Sequence, residues 1–79
     1  MEIKVLGPGC PNCKKLLKMV EDTVEELKIE ASVHYVTDMM EIANTGLIGT
    51  PGLMINGRIV LSGRVPSRLE LKERIQAKI

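Results

Sequence analysis

The stretch that decides the fold of this chain is EIKVLGPGCPNC, residues 2–13. Its first five residues, Glu2 to Leu6, alternate polar and apolar side chains, as a half-buried strand does. Residues 7–9, Gly-Pro-Gly, stop that alternation, so the strand is predicted to end in a tight loop. The only two cysteines of the chain, Cys10 and Cys13, follow at once. A strand therefore delivers two neighbouring sulfurs to one end of the molecule.

The segment after the cysteines is predicted to be a long amphipathic helix. From Pro11 to about Lys28, apolar residues recur at intervals of three and four with Lys and Glu between them. Proline suits the first turn of a helix, where its missing N–H is not needed. Ala31–Val36, ASVHYV, then predicts a second strand. Asp38 with Glu41 three residues later is the pattern of a capping box that opens a short second helix.

The C-terminal half predicts a hairpin and a last helix. Asn56-Gly57 between two apolar runs is the strongest short-range signal for a β-hairpin. Ser67-Arg68-Leu69-Glu70 has the form of a second capping box, opening a helix toward Ile79. The element order is therefore β-α-β-α-β-β-α, with a parallel, right-handed βαβ unit first. This order predicts one α/β domain over residues 1–79, a four-stranded mixed sheet flanked by helices.

Charge and composition exclude several classes of partner. Eleven Lys and Arg against ten Asp and Glu leave a formal net charge of +1, so no strong field points to nucleic acid or to a membrane surface. The N-terminal residues lack the basic start and apolar stretch of a signal peptide, which favours a cytoplasmic protein. No exposed heptad pattern is present, so a monomer is expected.

Two thiols this close can bind a metal, brace the fold or exchange electrons. In a reducing compartment, such a pair most often serves metal binding or redox catalysis. Bracing accounts poorly for the spacing because a loop of four residues would contribute only about 2 kcal/mol, against about 3 kcal/mol for a fifteen-residue loop.

The predicted position of the cysteines favours redox chemistry. If Cys10 caps the first helix and Cys13 is its third residue, both sulfurs lie at the positive end of the helix, which stabilises a thiolate. Lys14 and Lys15 add positive charge nearby. The thiolate is the attacking species in thiol–disulfide exchange, so Cys10 is the predicted nucleophile and Cys13 the residue that resolves the mixed disulfide.

Residues 10–13, CPNC, resemble the active-site CxxC of the thioredoxin and glutaredoxin superfamily. Thr50-Pro51 stands directly before the third predicted strand, where that superfamily has a cis-proline beside the disulfide. Over essentially its whole length the chain looks most like the minimal glutaredoxin-like, or redox-active disulfide, proteins of archaea and bacteria. The resemblance implies a thioredoxin-like fold whose third strand is antiparallel, with the CxxC and the proline loop meeting at one edge.

The resemblance also implies an activity and a set of roles. The chain is expected to be a small dithiol–disulfide oxidoreductase with Cys10 and Cys13 as its catalytic residues. Substrate contacts are expected from Pro11 and Asn12 between the cysteines and from Thr50-Pro51. The expected partners are disulfide-containing proteins and a reductase that reopens the Cys10–Cys13 bond, and the chemistry needs no bound cofactor and no metal.

The chain departs from the superfamily pattern in four ways. No counterpart of the buried acid that serves thioredoxins as proton acceptor is evident, because the helix after the cysteines presents an apolar face. Gly9 precedes the first cysteine, where thioredoxins usually have an aromatic residue. The pair between the cysteines is Pro11-Asn12 rather than Gly-Pro or Pro-Tyr. Ser62-Gly63-Arg64 has one glycine and no acid pair after it, so the glutathione-binding pattern of glutaredoxins is incomplete.

A thiophilic metal-binding or metal-transfer protein, for Cu(I) or Zn, is the alternative function. Copper chaperones carry a similar CxxC between a first strand and a first helix. They have Met where this chain has Pro8, and they run the second strand directly into the third, whereas residues 38–45 predict a helix there. A zinc site needs four ligands, and the chain offers two Cys and the single His34, which is predicted to lie on the sheet surface.

Two further side-chain predictions concern packing. Four methionines, Met19, Met39, Met40 and Met54, are interpreted as core filling. Arg58 and Arg64 are interpreted as solubilising residues of the hairpin.

Overall fold

Seven elements of regular structure follow one another in the computed structural model, which describes residues 1–79. They are β1 (Glu2–Leu6), α1 (Pro11–Leu27), β2 (Ser32–Val36), α2 (Met39–Asn44), β3 (Gly52–Ile55), β4 (Arg58–Ser62) and α3 (Arg68–Gln76). The predicted order β-α-β-α-β-β-α is confirmed. None of the three helices has the length and hydropathy that a bilayer crossing requires.

The sheet is mixed and has the strand order β2-β1-β3-β4. β1 pairs parallel with β2, as the βαβ connection requires, and antiparallel with β3. β3 pairs antiparallel with β4 through the hairpin. The antiparallel third strand and the thioredoxin-like architecture implied by the resemblance are therefore confirmed. β1 and β3 are the two central strands of the sheet. The loop after β1 and the loop before β3 therefore lie at the middle of one sheet edge.

The main core lies between one face of the sheet and helices α1 and α3. Alternation along β1 directs Ile3 and Val5 to this face, while Leu6 faces the other side. The core consists of aliphatic and methionine side chains only: Ile3, Val5, Leu16, Met19, Val20, Leu53, Ile55, Leu61, Leu71 and Ile75. Each fully buried side chain of this size stabilises the fold by about 1.5–3 kcal/mol relative to an exposed one.

A smaller core lies under α2 on the opposite face of the sheet. It contains Leu6, Ile42 and Met54. The prediction that all four methionines fill the core is wrong for two of them, because Met39 and Met40 are 58% and 72% exposed. The reason is the length of α2: a helix of six residues makes fewer than two turns and buries only Ile42.

The hairpin between β3 and β4 has the predicted form. Asn56 and Gly57 both have positive φ, 51° and 84°, as a two-residue turn that matches the strand twist requires. The Asn56 side chain also accepts a 2.9 Å hydrogen bond from the backbone N–H of Glu2. The turn is thereby tied to the start of β1.

The one aromatic residue of the chain, Tyr35, lies in β2 and pairs with Val5 of β1. Its ring is packed against the main core, and its hydroxyl is enclosed without a hydrogen-bond partner.

An ion-pair cluster joins the end of β4 to α3. Both guanidinium nitrogens of Arg64 donate to the Glu70 carboxylate, at 2.8 and 2.6 Å, and Arg74 donates to the same carboxylate at 3.2 Å. Hydrogen bonding from Arg64 lowers the pKa of Glu70 to about 2. The interpretation of Arg64 as a merely solubilising residue is therefore wrong. The Glu70 carboxylate binds Arg64 and accepts no hydrogen bond from the backbone N–H of Ser67. Only the other half of the predicted capping box forms, in which the N–H of Glu70 donates to the Ser67 side chain.

Candidate active site

The two cysteines form a disulfide at the start of α1, with their Cα atoms 5.0 Å apart. Cys10 is the N-cap residue, with φ −68° and ψ 162°, and its Sγ accepts a hydrogen bond of 3.1 Å from the backbone N–H of Cys13. Pro11 occupies the first helical position, as predicted, where its fixed φ suits the helix. The local sequence therefore places one sulfur at the mouth of the helix and the other one turn inside it.

The two sulfurs differ in exposure. Cys10 is partly exposed, whereas Cys13 is completely buried. A large molecule can therefore approach Cys10 but not Cys13.

The electrostatic surroundings favour negative charge on Cys10. The first turn of α1 carries no acidic residue, and the unpaired N–H groups of a helix start form its positive end. Lys14 and Lys15 are both exposed in the next turn. A thiolate at Cys10 is stabilised by both effects, which is the condition for attack on a disulfide.

Gly7, the residue directly after β1, is in close contact with the buried cysteine. Its N–H donates to the carbonyl of Val36 at 2.9 Å, which continues the pairing of β1 with β2. A Cβ atom at this position would overlap both Sγ and Cβ of Cys13. Its φ is not in the left-handed region, so Gly7 is glycine because of space and not because of backbone conformation.

Gly9 is glycine because of its backbone conformation and not because of space. Its φ is 97°, and nothing lies within 4 Å of the position where a Cβ would be. Sequence reasoning treated the two glycines alike as turn residues and missed the packing role of Gly7. No signal in a single sequence separates the two, because both flank the same proline.

The proline loop reaches the same end of the sheet. The register pairs Leu6 with Gly52, and continuing it by one residue sets Pro51 level with Gly7, against which Cys13 packs. The Thr50–Pro51 peptide bond is cis. Pro51 is buried, and its carbonyl accepts a 2.9 Å hydrogen bond from Gly63 at the end of β4. The extended register therefore brings residues some forty positions apart in sequence to the same end of the sheet.

The other predicted contact residues lie on the open side of this site. Pro11 and Asn12 are exposed in the first turn of α1, next to Cys10. Thr50 is exposed as well, and neither its N–H nor its carbonyl takes part in the backbone hydrogen bonds of the loops.

An apolar groove of about 290 Å³ begins at Thr50 and runs along α2. Ile48, which is 97% exposed, is its most open side chain. The remaining lining residues are Met39, Ile42, Ala43, Leu47 and Gly49.

The structure gives the metal-binding alternative no support. Helix α2 lies between β2 and β3, where a copper chaperone has no helix. No group of three or more His, Cys, Asp or Glu side chains could hold a metal ion, and His34 is exposed on β2.

A disulfide caps the first helix of a four-stranded mixed sheet, and a buried cis-proline directly precedes the strand that pairs with β1. This arrangement defines a protein of thiol–disulfide exchange. Comparison with known proteins agrees. A family model described as a thioredoxin domain matches residues 1–76. The chain is 38% identical over 73 residues to a thioredoxin of Methanothermobacter thermautotrophicus, covering 92% of this chain and 95% of that protein.

A second relative is a thioredoxin of Methanocaldococcus jannaschii, 40% identical over 75 residues, covering 95% of this chain and 86% of that protein. The chain belongs to the thioredoxin domain family, and it is a dithiol–disulfide oxidoreductase. Thioredoxin-like proteins act on disulfide-containing proteins. The resemblance to the thioredoxin and glutaredoxin superfamily and the predicted activity are confirmed.

Proposed function

We propose that Cys10 is the nucleophile and Cys13 the resolving residue of a two-step exchange carried out by a single domain, residues 1–79. The observation that carries this assignment is the difference in exposure: Cys10 is partly open at the helix start, and Cys13 is buried against Gly7. A substrate sulfur can reach only the first of them.

The exchange transfers two electrons. The Cys10 thiolate attacks one sulfur of the substrate disulfide, and the other substrate sulfur leaves as a thiolate that takes up a proton. Cys13 then loses its proton and attacks Cys10 in the mixed disulfide, which releases the second substrate thiol. The products are a dithiol substrate and the Cys10–Cys13 disulfide, which an external reductase returns to the dithiol.

Four residues are proposed to hold the substrate segment. Pro11 and Asn12 form the exposed surface beside Cys10, and Pro51 forms the buried floor opposite Gly7. Thr50 offers an N–H and a carbonyl that are free of loop hydrogen bonds, so an extended peptide can pair with it. The backbone of the substrate is thereby aligned with its sulfur at Cys10.

The proposed partners are a disulfide-containing protein and a reductase, and the proposed setting is the cytoplasm, with the protein acting as a monomer. The net charge of +1 argues against nucleic acid or membrane as a general partner. The chemistry requires only the two thiols and therefore no cofactor.

Trapping with two matched serine variants tests the assignment. Each variant is mixed with a peptide disulfide, and covalent adducts are measured by mass spectrometry without reductant. Cys13→Ser keeps the nucleophile and should hold the peptide as a stable mixed disulfide on Cys10. Cys10→Ser should form at least about a hundredfold less adduct because Cys13 is buried. Faster trapping by Cys10→Ser than by Cys13→Ser would reverse the two roles.

A further inference from the structure

The charges of α1 are arranged against the preference of its own dipole. Anionic side chains stabilise the start of a helix and cationic ones its end, each by about 0.3–1 kcal/mol. In α1 the first turn has no acid and the last turn has no base. The basic residues of the first half are Lys14, Lys15 and Lys18, and the acidic residues of the second half are Glu21, Asp22, Glu25 and Glu26.

This order of charges lowers the stability of the helix, so helix stability does not explain it. Where a local rule is broken without a structural gain, a functional site is the first place to look. In α1, the end that lacks the expected acidic residues is the end that carries Cys10.

A groove of about 350 Å³ runs between the basic half of α1 and the start of α3. Lys15 and Lys18 line it from α1, and Arg68 lines it from α3. Lys18 is paired with Asp22 at 3.2 Å. Lys15 and Arg68 take part in none of the ion pairs of the molecule. Arg68 also lines a second groove, which Asp22 and Glu26 line as well.

The charges between α1 and α3 are paired at the other end of their interface. One turn further along, Lys72 of α3 forms an ion pair of 3.0 Å with Glu26 of α1. The interface between the two helices is thus neutralised at its far end and left positive at the end near the disulfide.

The basic charges of the groove are close enough to act on a molecule held at the disulfide. Lys15 is five residues beyond Cys10, which corresponds to about 7.5 Å along the helix axis. The Debye length at physiological ionic strength is about 8 Å, so the attraction is not fully screened over that distance.

We propose that this groove, lined by Lys15, Lys18 and Arg68, docks an acidic segment of the protein whose disulfide reacts at Cys10. The proposal rests on the proposed role of Cys10 as nucleophile. A polypeptide is the occupant because the site reacts with protein disulfides and the groove is lined by the same helix that Cys10 caps. The lining of this groove has three basic side chains and no acidic one, although the whole chain carries a net charge of only +1. Asp or Glu side chains beside the substrate cysteine would supply the complementary charge.

The test compares two double variants with the same change in net charge. Lys15→Glu/Arg68→Glu reverses the groove. Lys28→Glu/Lys78→Glu reverses two exposed lysines that lie outside it; Lys28 is at the C-cap of α1, about 27 Å from Cys10 along the axis. Substrates are one peptide disulfide in acidic and basic versions, neutral hydroxyethyl disulfide and glutathione disulfide, with dithiothreitol as the reductant.

The groove variant should lower the ratio of kcat/KM for the acidic peptide to that for the basic peptide by at least about tenfold at low ionic strength. The effect should shrink in 0.5 M salt, and the control variant should leave the ratio within about twofold. The groove variant should unfold at a temperature no lower than that of the unaltered protein, since glutamate at the first position of α3 suits the dipole of that helix and Lys15 lies beyond the first turn of α1. Loss of activity through unfolding is thereby separated from loss of docking.

Three outcomes would overturn the proposal. An equal loss on all four substrates would show that the charges act through Cys10 itself. A dependence confined to glutathione disulfide would identify a small carboxylate as the occupant instead of a polypeptide. An unchanged ratio would show that the groove docks nothing acidic. Failure to reduce hydroxyethyl disulfide by the unaltered protein would instead count against the proposed nucleophile.

Discussion

Helices α1 and α3 begin with nearly the same backbone and with very different chemistry. The N-cap residues Cys10 and Ser67 have φ and ψ of −68° and 162°, and −70° and 161°. In each case the side chain accepts a 3.1 Å hydrogen bond from the N–H three residues later. The geometry of a helix start is therefore shared by a structural cap and by a redox site.

The difference lies in what fills the first turn. α3 has a hydroxyl cap and the acidic Glu70, both of which suit the positive end of a helix. α1 has a sulfur, which is a weak acceptor, with Cys13 in place of the acid and two lysines beyond it. The first helix gives up part of its capping stability, and in return the unsatisfied positive end stabilises a reactive thiolate.

Converting the α1 cap to the α3 type should have the largest effect. Cys10→Ser should abolish disulfide exchange, lowering kcat/KM by at least about a thousandfold, as loss of a nucleophile does elsewhere. The free energy of unfolding should equal or exceed that of the reduced protein, by up to about 1 kcal/mol, because a hydroxyl is the better cap. Urea unfolding of both proteins under reducing conditions measures this difference in the free energy of unfolding. A strongly destabilised variant would mean that the sulfur is itself a structural cap.

The packing behind the α1 cap should have the next largest effect. Gly7→Ala places a methyl group against Sγ and Cβ of Cys13. The overlap with Cβ is present in both redox states, but Sγ is held in place while bonded to Cys10 and can rotate away once reduced. The oxidised form should therefore suffer more, and the equilibrium constant for reduction should rise about tenfold, or about 30 mV. Equilibration with glutathione buffers measures this shift.

The control for that variant is Gly9→Ala. It strains a backbone with positive φ and should cost about 1 kcal/mol of stability, but it meets no neighbouring atom. Its equilibrium constant for reduction should stay within about twofold of the unaltered protein. Equal shifts in both variants would show that loop strain, and not contact with Cys13, sets the stability of the disulfide.

Removing the α3 cap should have a smaller effect, on stability alone. Ser67→Ala leaves the N–H of Glu70 without its partner and should lower the free energy of unfolding by about 1 kcal/mol. Chemical denaturation of the oxidised protein tests this. The equilibrium constant for reduction should not change, and a change would mean that the two helix starts are coupled across the groove between them.

The contribution of Glu70 to stability should change only at low pH. The pKa of Glu70 is lowered to about 2 by Arg64, so the ion pair stabilises the fold at pH values above the ordinary carboxyl pKa. That contribution should decline as pH falls below about 4.5 and be gone below about 2. NMR titration should show Arg64→Gln returning the pKa of Glu70 toward its ordinary range. An unchanged value would contradict the assigned cause.

Local signals predicted most of the fold and the centre of the site. Pro11, Asn56-Gly57 and Ser67 each act through the backbone within a few residues, and the structure has all of them where the sequence indicated. The parallel pairing of β1 with β2 followed from the βαβ unit, and the antiparallel third strand followed from the family resemblance.

What the sequence did not predict depends on contacts across the fold. The role of Gly7 requires the position of Cys13, and the partner of Arg64 is set by how α3 lies against β4. Met39 is apolar and helical, yet it is exposed, because α2 is too short to bury a second turn. In each case the residue type is compatible with several environments, and only the packing chooses among them.

Tyr35 gives this molecule a built-in optical reporter. Because the chain has one Tyr and no Trp or Phe, this side chain accounts for all of the protein's near-ultraviolet absorption and emission apart from the weak absorption of the disulfide. It directly precedes Val36, whose carbonyl holds the N–H of Gly7 beside the redox pair. Changes in its fluorescence during mixing experiments would thus follow the oxidation state of the sulfurs in real time, without an attached dye.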